Sequence, residues 1–306
     1  MDQTQHAYFE GKFVQFGDAK ISIATHGLNY GTAAFGGLRG YWNAELKKLF
    51  VFRPYDHYKR FLNSARILAM ELPHTPESLT QVTIDLLKLD GWQQDVYIRP
   101  LCYKADAGIG VRLHDLRDEV SIFALAFGAY GKNEDGAHVT VSSWRRVDDN
   151  VIPARGKISG AYANSALMKT DAIRAGFDEA LVLDNNGHIS EGTAMNVFLV
   201  REGVLITPPV YENILEGITR RTVIELAQKE LGLQVVERSI DRTEAFVCEE
   251  LFMTGTAAQV MVVTKVDHRP VGTGQIGPIT ARLRDLFNEV VHGQLPKYSH
   301  WNVAVE

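Results

Sequence analysis

The 306-residue sequence contains only two cysteines, Cys102 and Cys248, and no long uncharged apolar run. Two isolated cysteines cannot build a disulfide framework or a Cys-x-x-Cys metal site, so we expect a reducing compartment. No uncharged stretch approaches the roughly 18 residues of a membrane span. The polar first six residues also lack the basic start and apolar run of a signal peptide. These features predict a cytoplasmic protein without a membrane span.

Positive charge is not in excess either. The chain has 32 basic and 37 acidic side chains, a formal net charge of −5, and the two signs alternate along it. Nucleic-acid-binding proteins normally carry clustered basic residues, because these attract the phosphate backbone. We therefore expect no nucleic-acid partner.

Motifs for metal binding and acyl transfer are missing as well. The ten histidines lack the spacing of paired metal ligands, so no metal site is predicted. No Gly-x-Ser-x-Gly nucleophile motif occurs. Residues 272–277 match Gly-x-Gly-x-x-Gly, but a dinucleotide site needs this motif within a βαβ unit, and none follows. We favour a glycine-rich turn before a helix that begins at Pro278.

Local patterns predict an α+β chain with two domains. A hairpin should turn at Glu10-Gly11, and residues 21–24 alternate like a strand. Helices are expected over 54–70 and from an N-cap at Thr75 to Gly91. A glycine-rich polar linker at 128–136 should separate a small N-terminal α/β domain (1–127) from a larger domain (137–306).

The larger domain is expected to contain a mostly antiparallel strand meander with turns at 184–187 and 201–203. Helices are predicted over 161–176, near 218–231 and near 278–292, the last two ending at Gly232 and Gly293. The sequence therefore places several small-residue turns next to helix starts.

Three features of the second half match the needs of one cofactor. Lys157 lies in a run of small residues, Glu191 follows a predicted strand, and 215–222 opens a helix. A buried lysine can bond covalently to an aldehyde, and a buried carboxylate can hold a heteroaromatic nitrogen protonated. A helix N-terminus can bind phosphate. Together these are the requirements of pyridoxal 5'-phosphate.

The motifs around these residues resemble those of class IV aminotransferases. The segments 191–198, 205–207 and 215–220 are similar to the long signature of that class. Within it, the strand Tyr97-Ile98-Arg99-Pro100 and the turn at 254–258 resemble branched-chain amino-acid aminotransferases more than D-amino-acid aminotransferases or aminodeoxychorismate lyases. The resemblance implies fold type IV, a homodimeric core that can assemble into a hexamer, and transfer of amino groups from L-leucine, L-isoleucine and L-valine to 2-oxoglutarate by a ping-pong mechanism.

The resemblance also implies roles for single residues. Lys157 would bind the cofactor covalently and move a proton in catalysis, and Glu191 would pair with the pyridine nitrogen. Tyr162 would lie near the phenolic oxygen, and Leu215 would pack against the ring. The implied phosphate-binding residues are Arg60, Ile218, Thr219 and Thr256, with Gly217 allowing a close approach.

Substrate residues follow from the same resemblance. The backbone N–H groups of Thr256 and Ala257 would bind the substrate α-carboxylate. A pocket for both apolar and glutamate side chains would have aromatic walls, hydroxyls and an arginine, some of them supplied by a partner subunit. The implied residues are Tyr30, Phe35, Arg39, Tyr97, Arg99, Val111, Tyr130 and Tyr162.

Some positions depart from the family pattern. Gly36 and Met195 stand where glutamate is usual, Gln259 replaces a common acid, and Val262 stands where proline is frequent. Because these positions concern the pocket rather than the cofactor, other donors stay open, namely D-amino acids, (R)-amines and aminodeoxychorismate. From other classes, a nicotinamide-dependent dehydrogenase and a non-enzymatic binding module remain the alternatives.

Overall fold

The computed structural model of the protein describes residues 5–128 and 135–306. The described strands, in chain order, are β1 (His6–Phe9), β2 (Lys12–Gln15), β3 (Ala33–Phe35), β4 (Leu38–Asn43), β5 (Lys48–Phe52), β6 (Val96–Lys104), β7 (Asp118–Ala126), β8 (Ala137–Arg145), β9 (Glu179–Leu183), β10 (Ile189–Gly192), β11 (Asn196–Arg201), β12 (Val204–Thr207), β13 (Val235–Glu237), β14 (Glu250–Gly255), β15 (Gln259–Val266), β16 (Arg269–Pro270) and β17 (Asn302–Val305).

The described helices are α1 (His26–Tyr30), α2 (Pro54–Ile67), α3 (Pro76–Asp90), α4 (Tyr162–Arg174), α5 (Ile218–Leu231) and α6 (Pro278–Val291). None of these helices is long and apolar enough to cross a membrane.

The described residues divide into two units. The first contains residues up to Gly128 together with Gly156–Ala161 and Glu289–Glu306, and the second contains 135–155 and Tyr162–Asn288. We predicted domains that are continuous in sequence. The structure differs because β17 pairs with β5 and because Ile158 forms a β-bridge with Ala34, so both later segments join the first unit.

An antiparallel sheet organises the first unit. Its eight described strands run in the order β17-β5-β4-β6-β7-β1-β2, and β3 pairs with β6 beside β4. Along β6, Val96, Ile98 and Pro100 are buried while Tyr97 and Arg99 are half-buried. Since successive strand residues face opposite sides, Tyr97 and Arg99 share one face of the sheet.

Helices α2 and α3 follow their sequence signals closely. Thr75 and Ser78 form a reciprocal capping box at the start of α3, and Gly91 ends that helix with φ of 64°. The hairpin at Glu10-Gly11 is also present, with both residues at positive φ. Residues 21–24 were wrongly predicted as a strand, because Ser22 accepts the N–H of Thr25 and starts a turn into α1.

A mixed sheet of nine described strands organises the second unit, in the order β10-β9-β8-β15-β14-β11-β12-β13, with β16 on β15. Five of its pairings are antiparallel, and three are parallel, namely β8 with β9, β8 with β15 and β12 with β13. The predicted mixed α/β class with mostly antiparallel strands is confirmed. Helices α4 and α5 pack on this sheet.

Candidate active site

Lys157 is held through its backbone in the first unit. Its N–H donates to Ser64 Oγ over 3.1 Å, and its carbonyl accepts the N–H of Phe35 over 3.0 Å. Ser64 is fully buried in α2 and donates its hydroxyl to the carbonyl of Arg60, 3.0 Å away. One buried serine therefore connects the turn that carries Arg60 with the segment that carries Lys157.

An aromatic and cationic group forms the face of β3 and β6 near this lysine. The Arg99 guanidinium lies 4.7 Å from the Phe35 ring centroid and 5.2 Å from that of Tyr97, and it donates to the Tyr97 hydroxyl over 3.3 Å. Lys157 Nζ lies 5.1 Å from the Phe35 centroid. Within the described residues, Arg99 forms no ion pair, and its buried Nε has no hydrogen-bond partner. The group therefore combines an apolar wall with an arginine that no carboxylate of residues 5–128 and 135–306 neutralises.

Gly36 and Gly37 shape this face. Gly36 lies in the chain between β3 and β4, and its N–H donates to the Pro100 carbonyl over 2.8 Å. A Cβ on Gly37 would lie 2.1 Å from Tyr97 Oη, and one on Gly36 would lie 2.6 Å from Pro100 Cγ. This backbone therefore has no space for the acidic side chain that the family pattern led us to expect at position 36, and Arg99 lacks that neighbour.

The remaining predicted pocket residues of the first unit lie in different surroundings. Arg39 is buried and donates to Asp95 and to the carbonyls of Phe127 and Gly128 over 3.0–3.2 Å. It thus anchors the end of β7. Tyr30 accepts the N–H of Gly110 over 3.0 Å, and Val111 is 83% exposed. Tyr130 lies outside the described residues.

Glu191 is the centre of a buried network in the second unit. Its Oε1 lies 2.9 Å from an Arg146 guanidinium nitrogen; Glu191 is buried, and the Arg146 side chain is 9% exposed. Its Oε2 accepts the N–H of Leu215 over 3.1 Å and a longer contact of 3.5 Å from Asn196 Nδ2. Asn196 also donates to the Leu215 carbonyl over 2.9 Å. The carboxylate is thereby oriented by Arg146, the Leu215 N–H and the Asn196 amide.

Helix α5 begins beside this network and has no side-chain cap at its N-terminus. A Cβ on Gly217, the N-cap residue, would lie 2.0 Å from Asn196 Oδ1, so only glycine fits there. Thr219 is buried in the first turn. The backbone N–H groups of the first turn and the positive end of the helix dipole are therefore available to an anion.

The turn after β14 carries the other predicted contacts. Residues 256–258 connect Gly255 to Gln259, which opposes it in β15 and adopts φ of 57°. Thr256 and Ala257 are half-buried, as are Leu215 and Tyr162, the first residue of α4. The structure thus assembles Glu191, Leu215 and the start of α5 in the second unit, while Lys157, Arg60, Phe35 and Tyr97 lie in the first unit.

The glycine-rich segment 272–277 has a structural role. Buried Glu250 accepts the N–H of Ile279 over 3.1 Å and that of Thr280 over 2.6 Å, in the first turn of α6. A Cβ on Gly277 would lie 2.1 Å from Glu250 Cδ. A carboxylate of the protein therefore takes the position that a dinucleotide phosphate would need, which argues against the dehydrogenase alternative.

One group in the second unit has the composition of a metal site. Ligand atoms of Asp184, His188 and Glu212 lie within 4.8 Å of one another. Burial, followed by a hydrogen bond with Asp184, raises the pKa of Glu212. Ser239 also donates its hydroxyl to Glu212. The interaction between the two carboxyl groups raises the pKa of Glu212 and lowers that of Asp184, so a proton shared by the pair favours Glu212.

Sequence reasoning assigned no role to Ser64, Arg146 or Asn196. Asn196 is included in a motif that carries the family resemblance, but neither Asn196 nor Arg146 has a local signal for a contact with Glu191. Ser64 is one hydroxyl on an amphipathic helix. Only the long-range pairing of strands and helices reveals these contacts.

The comparisons with known proteins agree with this geometry. Residues 41–266 match the family model of class IV amino-transferases. A probable branched-chain-amino-acid aminotransferase of Aquifex aeolicus (strain VF5) is 45% identical over 299 residues, covering 98% of this chain and 96% of that protein. Two solved structures are similar along their whole length.

The branched-chain aminotransferase of Thermoproteus uzoniensis with norvaline has 38% identity and a TM-score of 0.95, covering 99% of both chains. The branched-chain amino acid aminotransferase of Thermobaculum terrenum in its PLP-bound holo-form has 36% identity and a TM-score of 0.94, covering 100% of both chains. The resemblance predicted from the motifs is confirmed, and the chain belongs to the class IV aminotransferase family.

Proposed function

We propose that this protein is a pyridoxal-phosphate-dependent branched-chain-amino-acid aminotransferase. It would transfer the amino group of L-leucine, L-isoleucine or L-valine to 2-oxoglutarate and release branched-chain 2-oxo acids and L-glutamate by a ping-pong mechanism. The observation that carries this proposal is the face of β3 and β6, where Phe35 and Tyr97 lie together with Arg99, which has no carboxylate partner among the described residues.

The residues assembled in the second unit fit the chemistry of pyridoxal phosphate. Glu191 is a buried carboxyl group whose position suits a protonated ring nitrogen, and the N-terminus of α5 is suited to a phosphate. Leu215 is fixed by its N–H and carbonyl beside that carboxylate, which supports its proposed place against the ring. Arg60, Thr219 and Thr256 are the further phosphate contacts that we propose.

The bound cofactor supplies an electron sink for the negative charge that develops at the substrate Cα. Lys157 Nζ would hold the cofactor covalently and then take the Cα proton as a general base. Glu191, oriented by Arg146, would keep a proton at the ring nitrogen. The N–H groups of Thr256 and Ala257 would bind the substrate α-carboxylate.

One pocket has to accept both an apolar side chain and the distal carboxylate of 2-oxoglutarate. The Phe35 ring supplies apolar surface, while the Arg99 guanidinium on that ring supplies the counter-charge. Because Gly36 contributes no acid, no carboxylate at that position competes for Arg99. This favours glutamate and 2-oxoglutarate as the second substrate pair.

The proposed function is tested by half-reactions of the purified holoenzyme with single amino donors. We expect L-leucine, L-isoleucine, L-valine and L-glutamate to remove the absorbance band of the bound cofactor, and D-amino acids and (R)-amines to leave it. Conversion by the D- or (R)-donors alone would favour the alternative donors instead. A colourless protein without amino transfer would contradict the proposal altogether.

Arg99→Ala tests the second substrate. Loss of the guanidinium should raise the KM for 2-oxoglutarate by about tenfold or more, since a charge-assisted hydrogen bond is lost, and barely change that for 4-methyl-2-oxopentanoate. Arg39→Lys is the matched control, because Arg39 is already bound by Asp95 and two carbonyls. Equal losses for both oxo acids in Arg99→Ala would remove Arg99 from this role.

We further propose a homodimer. The side chains of Ile23, Ile109 and Val111 are 88%, 91% and 83% exposed, and the chain segments that carry them are joined by the hydrogen bond from Gly108 N–H to the Ala24 carbonyl. An exposed apolar group on an ordered loop is typical of a subunit interface. Light scattering distinguishes a dimer from a hexamer, and a monomeric, fully active protein would contradict this proposal.

A further inference from the structure

Thr254, near the end of β14, has a hydroxyl without a partner. The residue is 1% exposed, and its Oγ1 has no hydrogen-bond partner among the described residues. A buried hydroxyl that forms no hydrogen bond costs about 1–3 kcal/mol, so such atoms normally meet a ligand or an ordered water.

The sheet register defines the surroundings of this hydroxyl. Thr254 lies directly opposite Asn196 of β11, and Phe252 opposite Phe198. Opposed residues project from the same face, as the stacking of the two phenylalanine rings at 5.0 Å between centroids illustrates. The Thr254 side chain therefore lies beside that of Asn196, on the face where α5 packs against β14.

Asn196 is in turn the side chain that the start of α5 approaches. Its Oδ1 lies 2.0 Å from the position of a Cβ on Gly217, the uncapped N-cap residue. Within the described part of the chain, the hydroxyl of Thr254 and the N–H groups of the first turn of α5 thus form two sets of donors without acceptors on one side of the sheet. A single anion next to Gly217 would satisfy both.

A second buried hydroxyl in the same unit provides the contrast. Thr280 is fully buried, and its Oγ1 also lacks a hydrogen-bond partner among the described residues. It lies in the first turn of α6, where Glu250 already accepts two N–H groups. Of these two hydroxyls, that of Thr254 is the one on the side of the sheet where the helix N-terminus has no side-chain cap.

We propose that Thr254 is a further cofactor-binding residue, whose hydroxyl donates a hydrogen bond to the phosphate group at the N-terminus of α5. This rests on the proposed function, because it needs pyridoxal phosphate at that helix. The hydroxyl hydrogen bonds to a phosphate oxygen, and no covalent bond changes.

The test measures dissociation constants of pyridoxal phosphate and of pyridoxal, which lacks the phosphate, for the wild-type protein and its variants. Thr254→Val removes the hydroxyl at constant shape, Thr254→Ser keeps it, and Thr280→Val is the matched control. We expect Thr254→Val to lose about tenfold in affinity for pyridoxal phosphate and none for pyridoxal, since a hydrogen bond to a charged group is lost. Thr254→Ser and Thr280→Val should bind like the wild type.

Thermal unfolding without cofactor is the second measurement. Since the methyl group of valine replaces an unpartnered hydroxyl, the apo form of Thr254→Val should be at least as stable as the wild type. Unchanged affinity for pyridoxal phosphate in Thr254→Val would overturn the proposal, as would equal losses for both ligands or the same loss in Thr280→Val.

A further variant separates this inference from the proposed function. If Thr219→Val loses the preference for pyridoxal phosphate over pyridoxal and Thr254→Val keeps it, the role of Thr254 is wrong and the phosphate site at α5 stands. If the wild type itself shows no such preference, the phosphate site at α5 is wrong and the role of Thr254 falls with it.

Discussion

The two ends of strand β14 lie near the N-termini of two helices, and only one of these N-termini receives an acceptor from the strand. Glu250 and Thr254 are four residues apart, so both side chains project from one face of the strand. At α6, the carboxylate of Glu250 accepts the first N–H groups. At α5, the strand offers only a hydroxyl and the helix has no side-chain cap. A helix start becomes a ligand site only where the protein leaves its N–H groups without an acceptor.

Glycine serves both starts, for different purposes. Gly217 leaves room for the Asn196 amide, which also binds Leu215, whereas Gly277 leaves room for the Glu250 carboxylate. A glycine-rich sequence before a helix is thus equally compatible with a binding site and with a filled cap. What distinguishes them is the residue on the neighbouring strand.

The largest effect is expected on removing the Glu250 carboxylate that caps α6. Glu250→Ala leaves two buried N–H groups without an acceptor and should lower the free energy of unfolding by about 3 kcal/mol, as measured by urea titration. The ratio of affinities for pyridoxal phosphate and pyridoxal should stay unchanged, because α5 keeps its start. A changed ratio would contradict the conclusion that only the N-terminus of α5 binds the phosphate.

A smaller effect is expected from a methyl group at the N-terminus of α5, which has no side-chain cap. Gly217→Ala places a Cβ against Asn196 Oδ1, so the start of α5 must move. The affinity for pyridoxal phosphate should fall by about thirtyfold, while pyridoxal binding falls less, since displaced N–H groups lose the phosphate. Gly277→Ala is the counterpart, and it should reduce stability without this selectivity.

The smallest effect concerns a third helical start of the second unit, the short turn Arg242–Phe246. Glu244 accepts the Asp241 N–H there, and Arg238 and Arg201 hold its pKa at about 2. The lowered folded-state pKa stabilises the protein above pH 4.5, and this contribution is lost as the pH falls towards 2. Because both arginines are partly exposed, Glu244→Gln should cost only about 1–2 kcal/mol at neutral pH.

Urea titrations of wild type and Glu244→Gln between pH 7 and pH 3 measure this contribution. The difference between the two proteins should be constant down to about pH 4.5 and shrink below it, because the carboxylate becomes protonated in the unfolded state while it stays ionised in the folded protein. A difference that grows on acidification would contradict the assignment of Glu244 as an ionised cap.

Sequence patterns predicted the parts of the fold that local chemistry determines. Thr75 and Gly91 bound α3 because a cap and a left-handed residue act within one helical turn. Helix α5 likewise ends before Gly232 as expected. Strand β17 had no such signal, since its pairing with β5 joins residues about 250 positions apart and depends on the whole sheet.

The candidate site divides in the same way. The family motifs predicted Lys157, Glu191 and the start of α5, because those positions carry residue types that the chemistry requires. The contacts that orient them could not be read from the sequence. Arg146 lies 45 positions before Glu191, and Glu250 lies 29 positions before Ile279, so each pair exists only through the sheet register.

The residues expected to choose the substrate, Phe35, Tyr97 and Arg99, project from a ladder whose hydrogen bonds come from the backbone. Their side chains can therefore be exchanged without changing the backbone hydrogen bonds between these strands. Glu191 and the start of α5 belong to a different sheet with its own core. Directed evolution of the donor range could thus be confined to β3 and β6, with a low risk of losing cofactor affinity along the way.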